Sequence, residues 1–295
     1  MQTFNWYPGH MKKTRELIAE NLKLVDAVVE VCDARIPVSS RNPILSELTA
    51  GKTRVLVMNK SDLADEAATS AWLDYFRRYE MKDMRTALAL DSMKPAAASV
   101  LTNRLGKLET RRGVLRIMVI GIPNSGKSTL INRLTGRRSA ATGNRPGVTR
   151  GKQWITLENG MQLLDTPGIL WPKFEDQTVG LHLAFCGSIP EGIMDTEELG
   201  LELIRFLAGE YPEMIAPRYG VDMSELPDGD ARETGGALAL MEAIARKRGF
   251  LLPGKKIDYE RTARTVLDEF RSGKLGRVTI ERAPEAGSGH GSDEG

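Results

Sequence analysis

Three short stretches of this 295-residue chain carry side chains able to hold and cleave a nucleoside triphosphate. At 121–128 the sequence reads GIPNSGKS, with glycines at its first and sixth positions. Such spacing lets the backbone curl until successive N–H groups face phosphate oxygens, and the helix that follows adds its positive end. Asn124, Ser125, Gly126, Lys127, Ser128 and Thr129 are therefore expected around the phosphates. Lys127 should reach the β- and γ-phosphates, and the Ser128 hydroxyl should coordinate Mg²⁺. The second stretch, DTPG at 165–168, follows Ser128 by 37 residues. Asp165 is placed to hold the magnesium through water, and the Gly168 N–H to bond the γ-phosphate. Thr149, in RPGVTRG between the two, is the candidate to complete the magnesium shell.

The third stretch, NKSD at 59–62, selects the base. A carboxylate at Asp62 accepts hydrogen bonds from both N1–H and the 2-amino group of guanine, and adenine offers neither donor there. Asn59 is expected at the base edge and the Lys60 stem over the ring. Ser92, in ALALDSMK, ends the next apolar run, where a backbone N–H can meet the guanine O6. These residues select GTP or GDP over ATP.

Each stretch needs an element to hold it. The apolar runs AVVEVCDAR, TRVLVMNKSD, TALALDSMK and LRIMVIGI read as strands that end in polar loops. MKKTRELIAENLKLV, TSAWLDYFRRYE and AAASVLTNRLGKLE carry helical spacing between them. KQWITLENGMQLLDTPG reads as two strands turned at Asn159-Gly160. Strands that alternate with helices and are almost continuously apolar imply a mostly parallel sheet with helices on both faces. After Leu170 only helical segments recur, so a smaller all-α domain is expected over 176–282, after an α/β domain over 1–175. The tail from 283 to 295 is too polar and glycine-rich to pack and is expected to be disordered.

Composition narrows the class without naming a partner. A hydrophobic share of 41% with 27% charged residues suits a globular protein with a real core. Two cysteines make neither a disulfide framework nor a metal set. No apolar stretch approaches the length of a membrane span, so the cytoplasm is the expected compartment. The net charge of +2 conceals segregation. Residues 129–157 hold six basic side chains and no acid, and 245–282 hold eleven basic against five acidic. Two separate basic regions favour a polyanion partner.

The order of the motifs is the unusual feature. In a common GTP-binding domain the phosphate loop precedes the base reader; here NKSD and DSMK come first, then GKS, Thr149 and DTPG. The sheet has been cut and rejoined elsewhere, which costs little where chain ends lie close together on a surface. As a result, the segment sensing the γ-phosphate runs through ILWPKFED straight into the helical domain, so loss of that phosphate can change the helical domain's pose.

With WYPGHM at 6–11, DARIP at 33–37, NKSD, GIPNSGKS, PGVT and DTPGI in this order, the chain resembles the circularly permuted GTPases of the ribosome biogenesis GTPase A family. RKRGF and DEFRSGKLGRV resemble that family's C-terminal helical domain. The resemblance implies a GTPase that assists assembly of the large ribosomal subunit and touches its rRNA, with Lys255, Lys256, Arg271 and Lys274 among the phosphate contacts. Ile169 and Leu170 follow DTPG and cannot orient a water. His182 sits in an apolar helical run and suits a structural role. His10, in PGHM, is by its residues alone an equally fitting helix cap; the resemblance implies that it orients the attacking water. Asn124 in the phosphate loop likewise implies K⁺ beside the phosphates. A passive RNA-binding module with structural GTP, and a permuted GTPase aimed at a protein or membrane surface, are the competing readings. Intact magnesium residues disfavour the first, and the absence of a lipidation motif disfavours the second. No apolar repeat suggests a partner helix, so a monomer is expected.

Overall fold

The computed structural model describes residues 8–41, 43–49, 51–79, 84–108, 110, 113–136, 154–164, 176–190, 192–222 and 233–284. The chain divides into two compact units, Asp176–Val278 and the remainder, to which the segment from Thr279 onward belongs.

The first unit is built on a six-stranded sheet of order β3-β2-β1-β4-β6-β5. Its strands are β1 (Ala27–Asp33), β2 (Thr53–Asn59), β3 (Met84–Leu90), β4 (Arg116–Gly121), β5 (Trp154–Thr156) and β6 (Gln162–Leu164). All pairings are parallel except β5 with β6, which turn on each other through Asn159-Gly160. The apolar runs are continuous because both faces are covered; every residue of β1 is buried. Alternate residues serve opposite faces. Val29, Val31, Val55, Val57 and Val119 point to α4 (Ala96–Leu105) and α5 (Lys127–Thr135). On the other side, Cys32, Leu56 and Met58 meet Trp72 and Phe76 of α3 (Glu66–Tyr79). Val28, Met118 and Ile120 meet Ile18 and Leu22 of α1 (Pro8–Leu22) and Leu45 of α2 (Pro43–Leu48).

Permutation leaves this sheet intact. β4, fourth in sequence, lies beside β1 at the sheet centre, so the strand carrying GIPNSGKS is adjacent to the strand that begins the sheet. In an open parallel sheet, ligands bind beyond the carboxyl ends of the strands where the order reverses. Register brings those ends together here: Asp33 stands opposite Asn59, Asn59 opposite Leu90, and Val31 opposite Gly121.

The second unit contains α6 (Gln177–Phe185), α7 (Thr196–Glu210), α8 (Pro212–Tyr219), α9 (Thr234–Arg248) and α10 (Tyr259–Arg271). Asp195 and Asp258 cap α7 and α10, each accepting at 2.9 Å from the N–H three residues on. α7 packs against both α9 and α10. Its approach to α10 depends on Gly200, where a Cβ would fall 2.4 Å from that of Ala263.

Two expectations need correction. The second unit is not all-α: β7 (Leu251–Leu252) and β8 (Lys256–Ile257) form a short antiparallel hairpin, because Gly254 and Lys255 both take positive φ and reverse the chain. Its limit is also not 282. Thr279 to Ala283 return to the first unit, where Thr279 and Ile280 are buried and Ala283 packs with Trp72 and Phe76. Of the expected tail, residues 285–295 lie outside the described residues.

Candidate nucleotide site

The phosphate loop follows β4 and opens α5. Both of its glycines are required by contact as well as by conformation. A Cβ on Gly121 would stand 2.4 Å from the Val31 carbonyl oxygen of the neighbouring strand. Gly126 has φ +87° and would place a Cβ 2.0 Å from Asn59 Nδ2. Between them Asn124 is exposed with φ +60°, a left-handed conformation that Asn tolerates better than most residues. Ser125 closes the turn by donating from Oγ to the Ile122 carbonyl at 2.9 Å. Lys127 is buried although it stands in the first turn of α5, and Ser128 and Thr129 beside it are half-buried.

Asn59 is the joint of the site. Its Nδ2 donates to the Ser125 carbonyl in the phosphate loop at 2.8 Å. Its Oδ1 accepts from the Ser92 N–H at 3.1 Å and the Ser92 hydroxyl at 2.6 Å. A primary amide has two donors and room for two acceptor bonds, so these contacts leave one N–H for a base. The sequence reading is corrected on two points. Asn59 chiefly ties the NKSD, GKS and DSMK loops together, and the Ser92 N–H expected at the guanine O6 is committed to Asn59. The sequence alone could not show this, because the three partners lie 33 and 66 residues apart.

Lys60 and Asp62 diverge. Asp62 is exposed beyond the end of β2, open to a ligand. Lys60 has φ +57° and donates from Nζ to Asp33 Oδ2 at 3.0 Å. Asp33 is fully buried and also accepts from Arg35, through Nε at 3.0 Å and Nη2 at 2.8 Å. Burial by itself would raise the Asp33 carboxyl, but Arg35 and Lys60 overcome it and hold the group well below the usual carboxylate range. Asp33 and Arg35 stand beside the candidate site although spacing does not single them out; a charged pair at the carboxyl end of a largely apolar strand is the signal they leave.

Two basic residues serve the fold. Arg133, one of the six in the basic stretch, reaches from α5 to the carbonyls of Ser92 and Met93 and holds that loop in place. Arg271 donates from Nε and Nη2 to the carbonyls of Phe185 and Ala184, at 3.0 and 2.9 Å, closing the end of α6. Its expected role in RNA contact is corrected accordingly: these donors add to the bonds on the carbonyls at the end of α6, where the helix itself supplies few. Lys255, Lys256 and Lys274 are exposed. His10 lies in the first turn of α1, its side chain outside the described residues, as are Thr149, Asp165 and Gly168 altogether. Among the described residues no helix is long and apolar enough to cross a membrane.

The chain is similar to known GTPases over most of its length. The family described as 50S ribosome-binding GTPase matches residues 116–195. Ribosome biogenesis GTPase A of Bacillus cereus is 44% identical over 289 residues, covering 96% of this chain and 95% of the relative. The protein of that name from Thermotoga maritima is 34% identical over 278 residues, 94% of each chain. The crystal structure of GNP-bound YlqF from T. maritima superposes with a TM-score of 0.64 at 31% identity, over 93% of this chain and 100% of that one. A P-loop GTPase by its fold and its motifs, the chain belongs to the ribosome biogenesis GTPase A family.

Proposed function

We propose that this GTPase docks on an immature large ribosomal subunit in its GTP-bound form and leaves after hydrolysis to GDP and phosphate. The observation that carries the nucleotide half is Asn59, which fixes base reader and phosphate loop in one hydrogen-bonded unit. The ribosomal half rests on the names of the relatives and on exposed basic residues of the second unit, with Lys255 and Lys256 at a hairpin tip and Lys274 after α10. Residues 1–175 act as the GTPase domain and the helical unit as the RNA-facing one. The protein works as a cytoplasmic monomer.

The phosphate loop suits a magnesium site. Ser128 stands in the first turn of α5, directly after a glycine cradle that a Cβ would fill. Ser128, Thr149 and Asp165 would hold Mg²⁺, which neutralises charge between the β- and γ-phosphates. Asn124, exposed at the mouth of that loop, is the residue to hold K⁺. Lys127 binds the phosphates and stabilises charge as the γ-phosphate leaves. Asp62 and Lys60 hold the guanine, and the Gly168 N–H meets the γ-phosphate. His10 orients the attacking water once the partner subunit is bound.

GTP turnover in KCl, with and without large ribosomal subunits, tests this reading on wild type and His10→Ala. Stimulation by subunits that is lost in the variant is the expected result. Turnover indifferent to subunits removes the ribosomal partner, and equal rates in NaCl and KCl remove potassium. Lys255→Ala combined with Lys256→Ala should weaken rRNA binding and flatten its dependence on salt; an unchanged slope removes the hairpin from the interface.

A further inference from the structure

Residues 279–284 form a strap on the first unit, although the chain reaches them only after completing the second. The strap is held by specific bonds along its length. Thr279 Oγ1 accepts from the Asp65 N–H at 3.0 Å, just ahead of α3, and Asp65 in turn caps that helix by accepting from the Ala68 N–H at 2.7 Å. The Ile280 N–H donates to the Arg35 carbonyl at 2.8 Å. The Glu281 carbonyl accepts from Trp72 Nε1 at 2.9 Å. The Glu281 carboxylate receives three donors from one turn of the 33–41 loop: the Val38 N–H at 2.6 Å, the Ser39 N–H at 2.9 Å and the Ser39 hydroxyl. An ionised carboxylate only accepts, and it meets three donors here, so charge and geometry agree.

The loop beneath the strap is the one that holds Lys60. The Ala34 N–H donates to the Asn59 carbonyl at 2.8 Å. The Asp33 N–H donates to Ser40 Oγ at 2.9 Å, and Ser40 Oγ donates to the Ile36 carbonyl at 2.6 Å. Arg35 therefore has two tasks, its carbonyl taking the strap and its guanidinium fixing Asp33 against Lys60. Lys60 is held in a left-handed conformation unusual for a side-chain-bearing residue, and such conformations persist where the surroundings over-determine them. Around Lys60 those surroundings are Asp33, the loop, and the strap bonded to the loop.

We propose that Glu281 is a positioning residue of the guanine site, acting through the 33–41 loop and Asp33 to hold Lys60 where it covers the base. This rests on the reading of Lys60 and Asp62 as the guanine contacts. The segment after the helical unit is then part of the nucleotide pocket's support, and the pocket is complete only once the chain has run through the helical unit and back. A segment that follows the helical unit thereby contributes to how long GDP stays bound.

The test measures dissociation of fluorescent GDP and IDP from the full chain in four forms: wild type, Glu281→Gln, Trp72→Phe and Asp62→Ala. Glu281→Gln keeps the shape but turns one acceptor into a donor facing donors. Trp72→Phe removes the bond to the strap carbonyl and, because phenyl is smaller than the buried indole, also leaves a small cavity. Glu281→Gln is expected to release both nucleotides faster by about tenfold, the loss of one charge-assisted bond. Trp72→Phe should follow in the same direction by less. GDP and IDP should suffer alike, since Lys60 covers the ring whereas Asp62 reads the 2-amino group that IDP lacks. The KM for GTP should rise far more than kcat falls, and the melting temperature of Glu281→Gln should stay near wild type. A strap that merely stabilises the fold would lower the melting temperature and leave dissociation untouched, and that result overturns the proposal. So does unchanged dissociation in both strap variants while Asp62→Ala loses GDP. Should Asp62→Ala bind GDP as wild type does, the guanine reader itself is misassigned, and that failure is separable from the strap.

Discussion

Asp33 in the first unit and Glu269 in the second are each buried between two cations, and the two clusters serve different ends. In the first unit Asp33 is gripped by Arg35 and Lys60. In the second, Glu269 of α10 takes a two-pronged bond from Arg218 of α8, at 2.9 and 2.5 Å, with Arg248 of α9 at 3.8 Å. The chemistry matches, and both carboxyls are held below their ordinary range. At Asp33 burial opposes the shift and the two cations overcome it; at Glu269 the Arg218 hydrogen bonds lead and burial opposes. What differs is the surroundings of the cations. Arg218 and Arg248 sit on helices that pack within the second unit, so their cluster fastens α8, α9 and α10 together. Lys60 belongs to the loop proposed to read the base, and on that proposal its cluster fixes a binding group. A buried ion pair thus says nothing of function until the other neighbours of its members are known.

The comparison breaks first at Asp33. Asp33→Ala strands Arg35, whose side chain is only 1% exposed, and frees Lys60 at the same stroke. Leaving a buried charge without its partner costs about 3–5 kcal/mol, and GDP affinity should collapse along with stability in denaturant titration and nucleotide binding. Gly126→Ala sharpens the contrast by striking the site without touching either cluster. Its Cβ would displace Asn59, so nucleotide binding should fall at least about tenfold, as losing one buried, shared bond predicts.

Smaller effects belong to the second unit. Gly200→Ala forces α7 off α10 and should cost about 1–3 kcal/mol, read from thermal unfolding, with GDP dissociation unchanged. Glu269→Gln should cost less than Asp33→Ala, because Arg218 and Arg248 retain side-chain exposures of 34% and 32% and can turn to water. It too should spare nucleotide binding, and loss of GDP affinity in this variant would collapse the distinction between the clusters.

The smallest effect is one of pH. A carboxyl depressed in the folded state contributes its stability above the unfolded pKa, about 4.3 for Glu, and loses it as pH falls through the folded value. The melting difference between wild type and Glu269→Gln should therefore be constant from pH 7 to pH 5 and close below about pH 4. A difference that closes near neutrality would show that Glu269 is not the depressed group.

Much of this molecule was legible because its signals are local. The strand ends at Asn59, Leu90 and Gly121 could be read from apolar runs followed by polar loops, since burial on both faces demands such runs. The phosphate loop could be read because glycine spacing answers to phosphate geometry over a few residues. The turn at Asn159-Gly160 is local too, as only positive φ closes so short a hairpin.

Partner identity was hidden. Arg271 and Arg133 looked like free cations in basic stretches, and each ends on backbone carbonyls 40 or more residues away. The hairpin at 251–257 escaped notice since two-residue strands leave no periodic pattern. The sequence by itself determined which strands form in the first unit, in what order the motifs lie along the chain, and that guanine is the base their side chains suit. Only the tertiary structure decided that Asn59 joins the loops, that Lys60 answers to Asp33, and that residues 279–284 return to brace the site. Composition and spacing record what a residue can do within a turn or a strand. Which of its possible bonds it makes depends on groups that folding brings from hundreds of residues away, as with Glu281 and Ser39.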